Sequence, residues 1–288
     1  MNNQYIFLAP EAIFPITKNE NGKPIEKAPA TGFPIPGTLQ GEGKMAGVPV
    51  LFLRTAGCNL RCMWSLPNGE VSLCDTPFAS FDTRGESRVD IETIKKIILN
   101  NIGMMNHMII SGGEPFIQPD GLVHLISELR KERNIHFAIE TNGTIFNEEL
   151  VNNIDFFSIS PKLKNSVPTK AKLDKTRVII PFEPEQAERT RRNIEVLQKI
   201  IDHSKATPGK DFQLKFVVQN HDELAEIEES FLAHLTNWQP DDIVLMPLGS
   251  TPEELEQTRM IALEAAIERG WRFSPRLQIT YFGGVAGV

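Results

Sequence analysis

The stretch VPVLFLRTAGCNLRCMWSLPNGEVSLCDT, residues 48–76, joins an apolar segment to a polar loop that carries all three cysteines of the chain. Three residues separate Cys58 from Cys62, and eleven separate Cys62 from Cys74. Three thiolates are one short of the four that close a structural zinc site or an ordinary iron–sulfur cluster. A metal centre with three protein ligands keeps one position open for chemistry, so this loop is the first candidate for function.

Two other interpretations of the cysteines are open. Three unrelated buried thiols are one alternative, because free cysteine is commonly buried; the clustering of all three in one polar loop favours metal ligation instead. Zinc with a histidine as its fourth ligand is the second, but the first histidine of the chain is His107. A 4Fe-4S cluster with one iron free matches the cysteine count better.

Composition limits the function classes. The chain has 288 residues, a net charge of −7 and an ordinary hydrophobic content of 41%, which fit a globular protein and argue against a general binder of nucleic acid or anionic membranes. The first residues lack the features of a secretory signal, and no apolar run reaches eighteen residues. With an odd cysteine count, these features predict a cytoplasmic protein without nucleic-acid or membrane partners.

The order of apolar and amphipathic segments predicts an α/β fold. Residues 1–38 are rich in Pro, Gly, Asn and Lys and are expected to be an irregular extension. Beyond them, candidate helices near 90–102, 120–133, 183–203, 221–236 and 252–269 alternate with candidate strands: Val48–Thr55, His107–Ser111, Ile135–Glu140, Ile154–Ser160, Thr176–Ile180, Phe212–Val218 and Asp242–Met246. This alternation indicates one domain with a parallel sheet, either open or a partial barrel, whose ligands gather at the carboxyl ends of the strands.

Several short sequence motifs resemble those of a known family. The cysteine loop beside a strand is similar to the C-x3-C-x2-C signature of the radical S-adenosylmethionine (SAM) superfamily. More narrowly, the chain resembles the 7-carboxy-7-deazaguanine synthase family in TLQGEG at 38–43, FLRTAGCNLRC at 52–62, Trp64 with Cys74-Asp75-Thr76, SGGEP at 111–115, ETNGT at 140–144 and ISPKL at 159–163. The chain departs from that family in the insert at 65–73, in its long N-terminal extension, and in Gln278, where the family more often has His.

The resemblance implies a role for each matching residue. Cys58, Cys62 and Cys74 would hold the 4Fe-4S cluster, and Thr76 would bind Mg²⁺. SAM would lie on Gly113, Glu114, Ser160, Pro161, Lys162, Met246 and Pro247, and the substrate on Leu39, Gln40, Gly41, Glu42, Arg54 and Ser111. The residues alone leave alternatives open: SGGEP and Ser160-Pro161-Lys162 would also suit simple turns, and Arg54 in an apolar strand would also suit a salt bridge to Glu42 or another carboxylate.

The resemblance also implies a fold and an activity. The expected fold is a partial TIM-type barrel of the radical SAM type over residues 1–288. The expected reaction is the SAM- and Mg²⁺-dependent ring contraction of 6-carboxy-5,6,7,8-tetrahydropterin to 7-carboxy-7-deazaguanine with loss of ammonia, on the route to queuosine and related 7-deazapurines. The expected partners are flavodoxin or ferredoxin as electron donor and a second copy of the chain. Two other functions stay open: an activase that places a glycyl radical on a partner protein, and a non-catalytic iron–sulfur electron carrier.

Overall fold

A twisted, mainly parallel sheet forms the centre of the protein. The computed structural model describes residues 4–66, 68–181, 183–285 and 287–288. In chain order the strands are β1 Tyr5–Phe14, β2 Thr38–Leu39, β3 Pro49–Thr55, β4 Met63–Ser65, β5 Val71–Leu73, β6 Ser87–Asp90, β7 His107–Gly112, β8 His136–Thr141, β9 Phe156–Ile159, β10 Asp211–Val218, β11 Ile243–Pro247 and β12 Arg272–Phe273.

The order of the strands shows how the site is assembled. The main sheet runs β12-β11-β10-β9-β8-β7-β3-β1-β6, and β3 and β7 to β12 are parallel to one another. At the other edge β1 is antiparallel to β3, and β6 is antiparallel to β1. Within the described residues the sheet does not close on itself, which confirms the predicted α/β partial barrel. All the parallel strands end at one edge, so the loops that follow them meet there.

Along the chain, helices alternate with the parallel strands, and in space they cover the sheet. They are α1 Pro77–Ser80, α2 Ile91–Asn101, α3 Pro119–Glu132, α4 Glu148–Asn153, α5 Lys170–Thr176, α6 Pro184–Thr190, α7 Ile194–Ala206, α8 Asp222–Glu226, α9 Pro252–Arg269 and α10 Leu277–Phe282, with a π-helical turn at Ile227–Phe231. Ile94 and Ile98 of α2 and Leu125 of α3 are buried in one core with strand residues such as Leu53 and Phe137. The apolar spacing of these helices therefore buries one face of each against the sheet.

Two helix starts confirm local sequence signals. Asp90 caps α2, since its side chain accepts a hydrogen bond from the backbone N–H of Thr93 at 2.9 Å. Thr251 caps α9 by accepting from Glu254 N at 3.2 Å. The predicted capping box is only half formed, because the Glu254 carboxylate accepts from the backbone N–H of Ser250 rather than of Thr251. The start of α9 was therefore predicted correctly, whereas the hydrogen-bond partner of Glu254 was not.

The prediction that residues 1–38 are irregular is wrong for residues 5–14, which form β1 beside β3. The strand was difficult to recognise because Pro10 removes a backbone donor and the pairing register shifts between Leu8 and Ile13. The predicted strand Thr176–Ile180 is also wrong. Helix α5 runs to Thr176, and β9 already has β8 and β10 on its two sides, so the sheet has no free edge there. Ile179 is instead 93% exposed.

In the described part of the chain, none of the helices combines the length and the apolar character that crossing a bilayer requires.

Candidate active site at the carboxyl ends of the strands

A cavity of about 560 Å³ opens at the edge where the parallel strands end. Loops after β3, β7, β8, β9 and β11 all contribute to its wall. Most of the predicted site residues line it: Leu39, Gln40, Gly41, Glu42, Arg54, Cys58, Cys62, Cys74, Thr76, Ser111, Gly113, Ser160, Lys162 and Met246. Glu114, Pro161 and Pro247 do not line it. Sequence words spread over more than two hundred residues therefore meet in one space.

The insert between the second and third cysteines is a β-hairpin. Strands β4 and β5 pair antiparallel, with Met63 opposite Leu73 and Ser65 opposite Val71. The next pair outward is Cys62 and Cys74 themselves, because the Cys74 N–H donates to the Cys62 carbonyl at 3.0 Å. The two ends of the eleven-residue segment between these cysteines therefore lie side by side. Although Cys62 and Cys74 are far apart along the chain, they are cross-strand neighbours.

Backbone contacts fix the cysteine loop to the loop after β7. The Glu114 N–H donates to the Gly57 carbonyl at 2.8 Å, and a Cβ on Gly113 would lie only 2.0 Å from that same oxygen. Glycine is therefore required at position 113 by this close approach. The Glu114 carboxylate is fully buried and accepts from Thr141 Oγ1 at 2.8 Å and from Asn142 N at 2.7 Å. Glu114 thus joins the loop after β7 to the loop after β8.

The ETNGT motif at 140–144 connects the loop after β8 to the cysteine loop. The Asn142 side chain donates to Asn59 Oδ1 at 2.8 Å, and Asn59 Nδ2 donates to Thr144 Oγ1 at 2.8 Å. Asn59 lies between the first two cysteines, so the loop after β8 holds the cysteine loop through an amide pair. These polar groups position the thiols before any cofactor is bound.

The donor set fits an iron–sulfur cluster. Burial raises the pKa of the Cys58 and Cys74 thiols and raises that of Cys62 to about 12. The thiolates required for ligation therefore need a strongly positive centre beside them. Across the described ranges, no three His, Cys, Asp or Glu side chains converge tightly enough to hold a single metal ion. In a cube-shaped cluster each cysteine binds a different iron, so its ligands are spread further apart.

A buried charge network forms the opposite wall of the cavity. Lys215 Nζ donates to Glu42 Oε2 at 2.5 Å, while Arg276 Nε and Gln278 Nε2 donate to Glu42 Oε1 at 3.0 and 2.6 Å. Burial alone would raise the pKa of Glu42, but Lys215 and Arg276 outweigh burial and hold that pKa far below its ordinary value. Glu42 is therefore ionised, and its two oxygens are oriented by three donors.

Arg276 extends this network to the cysteine loop. Its Nη2 donates to Asp75 Oδ2 at 3.2 Å, and its Nη1 donates to the Gly249 carbonyl. Asp75 lies between Cys74 and Thr76, whose hydroxyl is 3.4 Å from the Cys74 sulfur. One guanidinium therefore joins the loop after β11, the wall at Glu42 and the end of the cluster loop.

Arg54 is not paired with Glu42, which excludes the salt bridge considered from sequence. Its guanidinium lies 4.4 Å from the centre of the Phe14 ring and 5.4 Å from that of Phe78. Its Nε is buried without a hydrogen-bond partner, and none of the described carboxylates is within salt-bridge distance. Two aromatic rings thus hold a cation at the cavity wall with hydrogen-bonding capacity unused.

Glu140 is a cavity residue that sequence reasoning did not select. It accepts from Gln40 Nε2 at 3.1 Å and from Ser111 Oγ at 2.7 Å, and so joins two predicted substrate residues. Lys215, Arg276 and Gln278 were not selected either. For Lys215 a signal was present, since a lone lysine in the apolar strand FQLKFVV is as unusual as Arg54 in VLFLRT. The position of Arg276 beside Glu42 depends on tertiary structure alone.

The hairpin geometry predicts that the insert is dispensable for ligation. A variant that lacks residues 65–73 joins Trp64 directly to Cys74 and should bind as much iron and sulfide as the intact chain, because the Cys62–Cys74 pairing does not need the rest of the hairpin. Iron analysis and the visible absorption spectrum after anaerobic reconstitution measure this. Cys74→Ala is the matched control that should lose the cluster; a deletion variant as poor in iron as Cys74→Ala would contradict the prediction.

Comparison with known proteins agrees with this geometry. Residues 52–162 match the sequence profile of the Radical SAM superfamily. Similar proteins include the 7-carboxy-7-deazaguanine synthases of Rhodopirellula baltica, 37% identical with 86% of this chain and 85% of that protein covered, and of Halobacterium salinarum, 36% identical with 84% and 86% covered. That of Pyrobaculum aerophilum is 31% identical, with 87% and 93% covered.

A solved structure supports the fold. The crystal structure of QueE from Escherichia coli aligns with a TM-score of 0.52 at 23% identity, covering 91% of this chain and 93% of that one. The sequence alignments also cover most of the length of each of the three relatives. The chain therefore belongs to the 7-carboxy-7-deazaguanine synthase family of the radical SAM superfamily.

Proposed function

We propose that the protein is a 7-carboxy-7-deazaguanine synthase, a lyase that contracts the ring of 6-carboxy-5,6,7,8-tetrahydropterin with loss of ammonia. The observation that carries this proposal is the convergence of three cysteines and a polar, charged wall on one cavity of about 560 Å³. This volume is typical of small-molecule sites, which supports a small substrate over a radical transferred to a partner protein or a simple electron carrier.

Membership of the superfamily implies a 4Fe-4S cluster and SAM. We assign the cluster to Cys58, Cys62 and Cys74, and SAM to Gly113, Ser160, Lys162 and Met246, which face the cavity. Glu114, Pro161 and Pro247 then shape these loops from outside the cavity. When bound, the two cofactors supply the one-electron chemistry that starts the reaction; the protein binds, orients and excludes water.

The polar wall suits the two ends of a carboxypterin. The ionised Glu42 and the Gln40–Glu140 pair offer acceptors for the amino and amide N–H groups of a pyrimidinone ring, next to Leu39, Gly41 and Ser111. Arg54 has donor capacity left for a carboxylate. Together, the acceptors and the cation would fix the orientation of the ring as well as its identity.

We assign Mg²⁺ to Thr76. Thr76 lines the cavity, its hydroxyl lies 3.4 Å from the Cys74 sulfur, and Mg²⁺ tolerates few protein ligands when substrate oxygens and water complete its shell. An electron donor such as flavodoxin or ferredoxin, a homodimeric state and a cytoplasmic location belong to the same proposal.

The proposed function is tested by reconstituting the protein anaerobically with iron and sulfide and incubating it with SAM, dithionite, Mg²⁺ and 6-carboxy-5,6,7,8-tetrahydropterin. Chromatography with mass detection should find 7-carboxy-7-deazaguanine, and omission of Mg²⁺ should lower its rate of formation. Formation of 5′-deoxyadenosine without any deazaguanine would refute the substrate assignment.

A double-mutant cycle separates substrate recognition by Glu42 from its structural role. Glu42→Gln leaves Lys215 buried without its counterion and leaves Arg276 with Asp75 alone, so it should lower the free energy of unfolding by about 3 kcal/mol. Adding Lys215→Met should recover most of that loss, because one uncompensated cation is removed, yet product formation should stay at least tenfold below wild type.

Unfolding is best measured near pH 7. The pKa of Glu42 is depressed in the folded protein, so its stabilising contribution is complete above its ordinary pKa of 4.5 and is lost only as the pH falls below it.

Recovery of activity together with stability in the double variant would show that Glu42 only balances charge.

A further inference from the structure

Cys62 borders a second, smaller depression as well as the main cavity. A small depression, separate from the main cavity, is lined by Leu60, Arg61, Cys62, Ser166, Val167, Pro168, Ala187 and Arg191. Cys62 itself is 8% exposed. The turn at 166–168 lies beside Cys62 at this depression, and Lys164 and Lys170, which flank the turn, are exposed. The main cavity is where substrate and SAM are proposed to bind.

The segment that covers this depression is strongly basic in an acidic protein. Residues 164–177, KNSVPTKAKLDKTR, carry five basic side chains against one acidic side chain, a net charge of +4, whereas the whole chain has −7. Lys164, Lys170, Lys175 and Arg177 are exposed. None of these four forms an ion pair within the residues that the structure describes, although most other exposed cations do. Their charges are therefore available to a partner.

Lys172 fixes this segment to the cluster loop. Its side chain is 7% exposed, and its Nζ donates to the carbonyls of Met63 and Val167, each at 2.8 Å. Lys175 Nζ donates to the Gly69 carbonyl at 2.9 Å in the hairpin. Because Met63 follows Cys62 directly, the basic segment has a fixed position relative to the cluster.

We propose that the basic segment 164–177, through its exposed Lys164, Lys170, Lys175 and Arg177, is the docking site for an acidic one-electron donor protein, which reduces the cluster through the turn at 166–168. Positive charge facing a negative partner steers encounter and raises the association rate. The step transfers one electron from the donor, for example a flavin hydroquinone that becomes the semiquinone, to the oxidised cluster. This inference rests on the proposed function, since only an enzyme that needs a reduced cluster needs such a donor.

The test measures the rate at which reduced flavodoxin bleaches the reconstituted cluster in a stopped-flow instrument, at low and at high salt. The variant Lys164→Glu with Lys170→Glu should lower the second-order rate constant roughly tenfold or more at low salt and weaken its dependence on salt. Position 170 begins α5, where an acidic residue suits the helix dipole, so folding should be retained. Reduction by dithionite, a small molecule, should be unchanged.

Lys23→Glu is the control for charge reversal at an exposed lysine outside the basic segment. Lys23 is exposed in the N-terminal segment. Its neighbour Gly22 packs beside Asn100 near the end of α2, the helix that precedes β7. Lys23 therefore lies near the amino end of β7, whereas the cavity opens at the carboxyl ends of the parallel strands. Its rate should match wild type. Equal rates for the double variant and wild type, an equal loss in Lys23→Glu, or a wild-type cluster that accepts no electrons from either flavodoxin or an acidic ferredoxin would overturn the proposal. Product formation with dithionite tests the proposed function separately.

Discussion

The hydrogen bond from the Cys74 backbone to the Cys62 carbonyl, at 3.0 Å, is the contact on which the candidate active site depends. It makes two cysteines neighbours although eleven residues separate them in sequence. Without it, the third thiol would be held only by a long loop, whose closure and ordering cost conformational entropy. With it, the three thiols meet at the cavity, and Asp75 and Thr76 are brought to the end of the charged wall.

Other buried contacts maintain this arrangement from below and from the side. Glu114 and Asn142 bind the loops after β3, β7 and β8 to one another, so the thiols are positioned by neutral and charged hydrogen bonds before any cofactor binds. Arg276 connects the Glu42 network to Asp75. Buried ion pairs contribute little net stability, but they fix geometry. The polar interior of this protein therefore serves orientation, and the apolar contacts between helices and sheet provide the stability.

Much of the fold could be predicted from sequence because it depends on local patterns, whereas most of the cavity wall could be predicted because short motifs of the chain resemble those of a known family. The apolar runs of β7 and β10 and the caps Asp90 and Thr251 are local signals. Strand β1 was missed because its proline and its bulge obscure the alternation of apolar residues. Glu140 and Arg276 were missed because their roles depend on which distant residue faces them. The resemblance marked residues 65–73 as an insert, but the sequence did not show that the insert belongs to a β-hairpin in which Cys62 and Cys74 pair.

The central claim is that the three cysteines build a 4Fe-4S cluster in which one iron has no protein ligand. Mössbauer spectroscopy of protein reconstituted with ⁵⁷Fe tests it most directly, because the spectrum reports each iron separately. Adding SAM should change the parameters of one of the four irons and leave the other three as they were. Four irons that stay equivalent in the presence of SAM, or a spectrum without a 4Fe-4S cluster, would contradict the account.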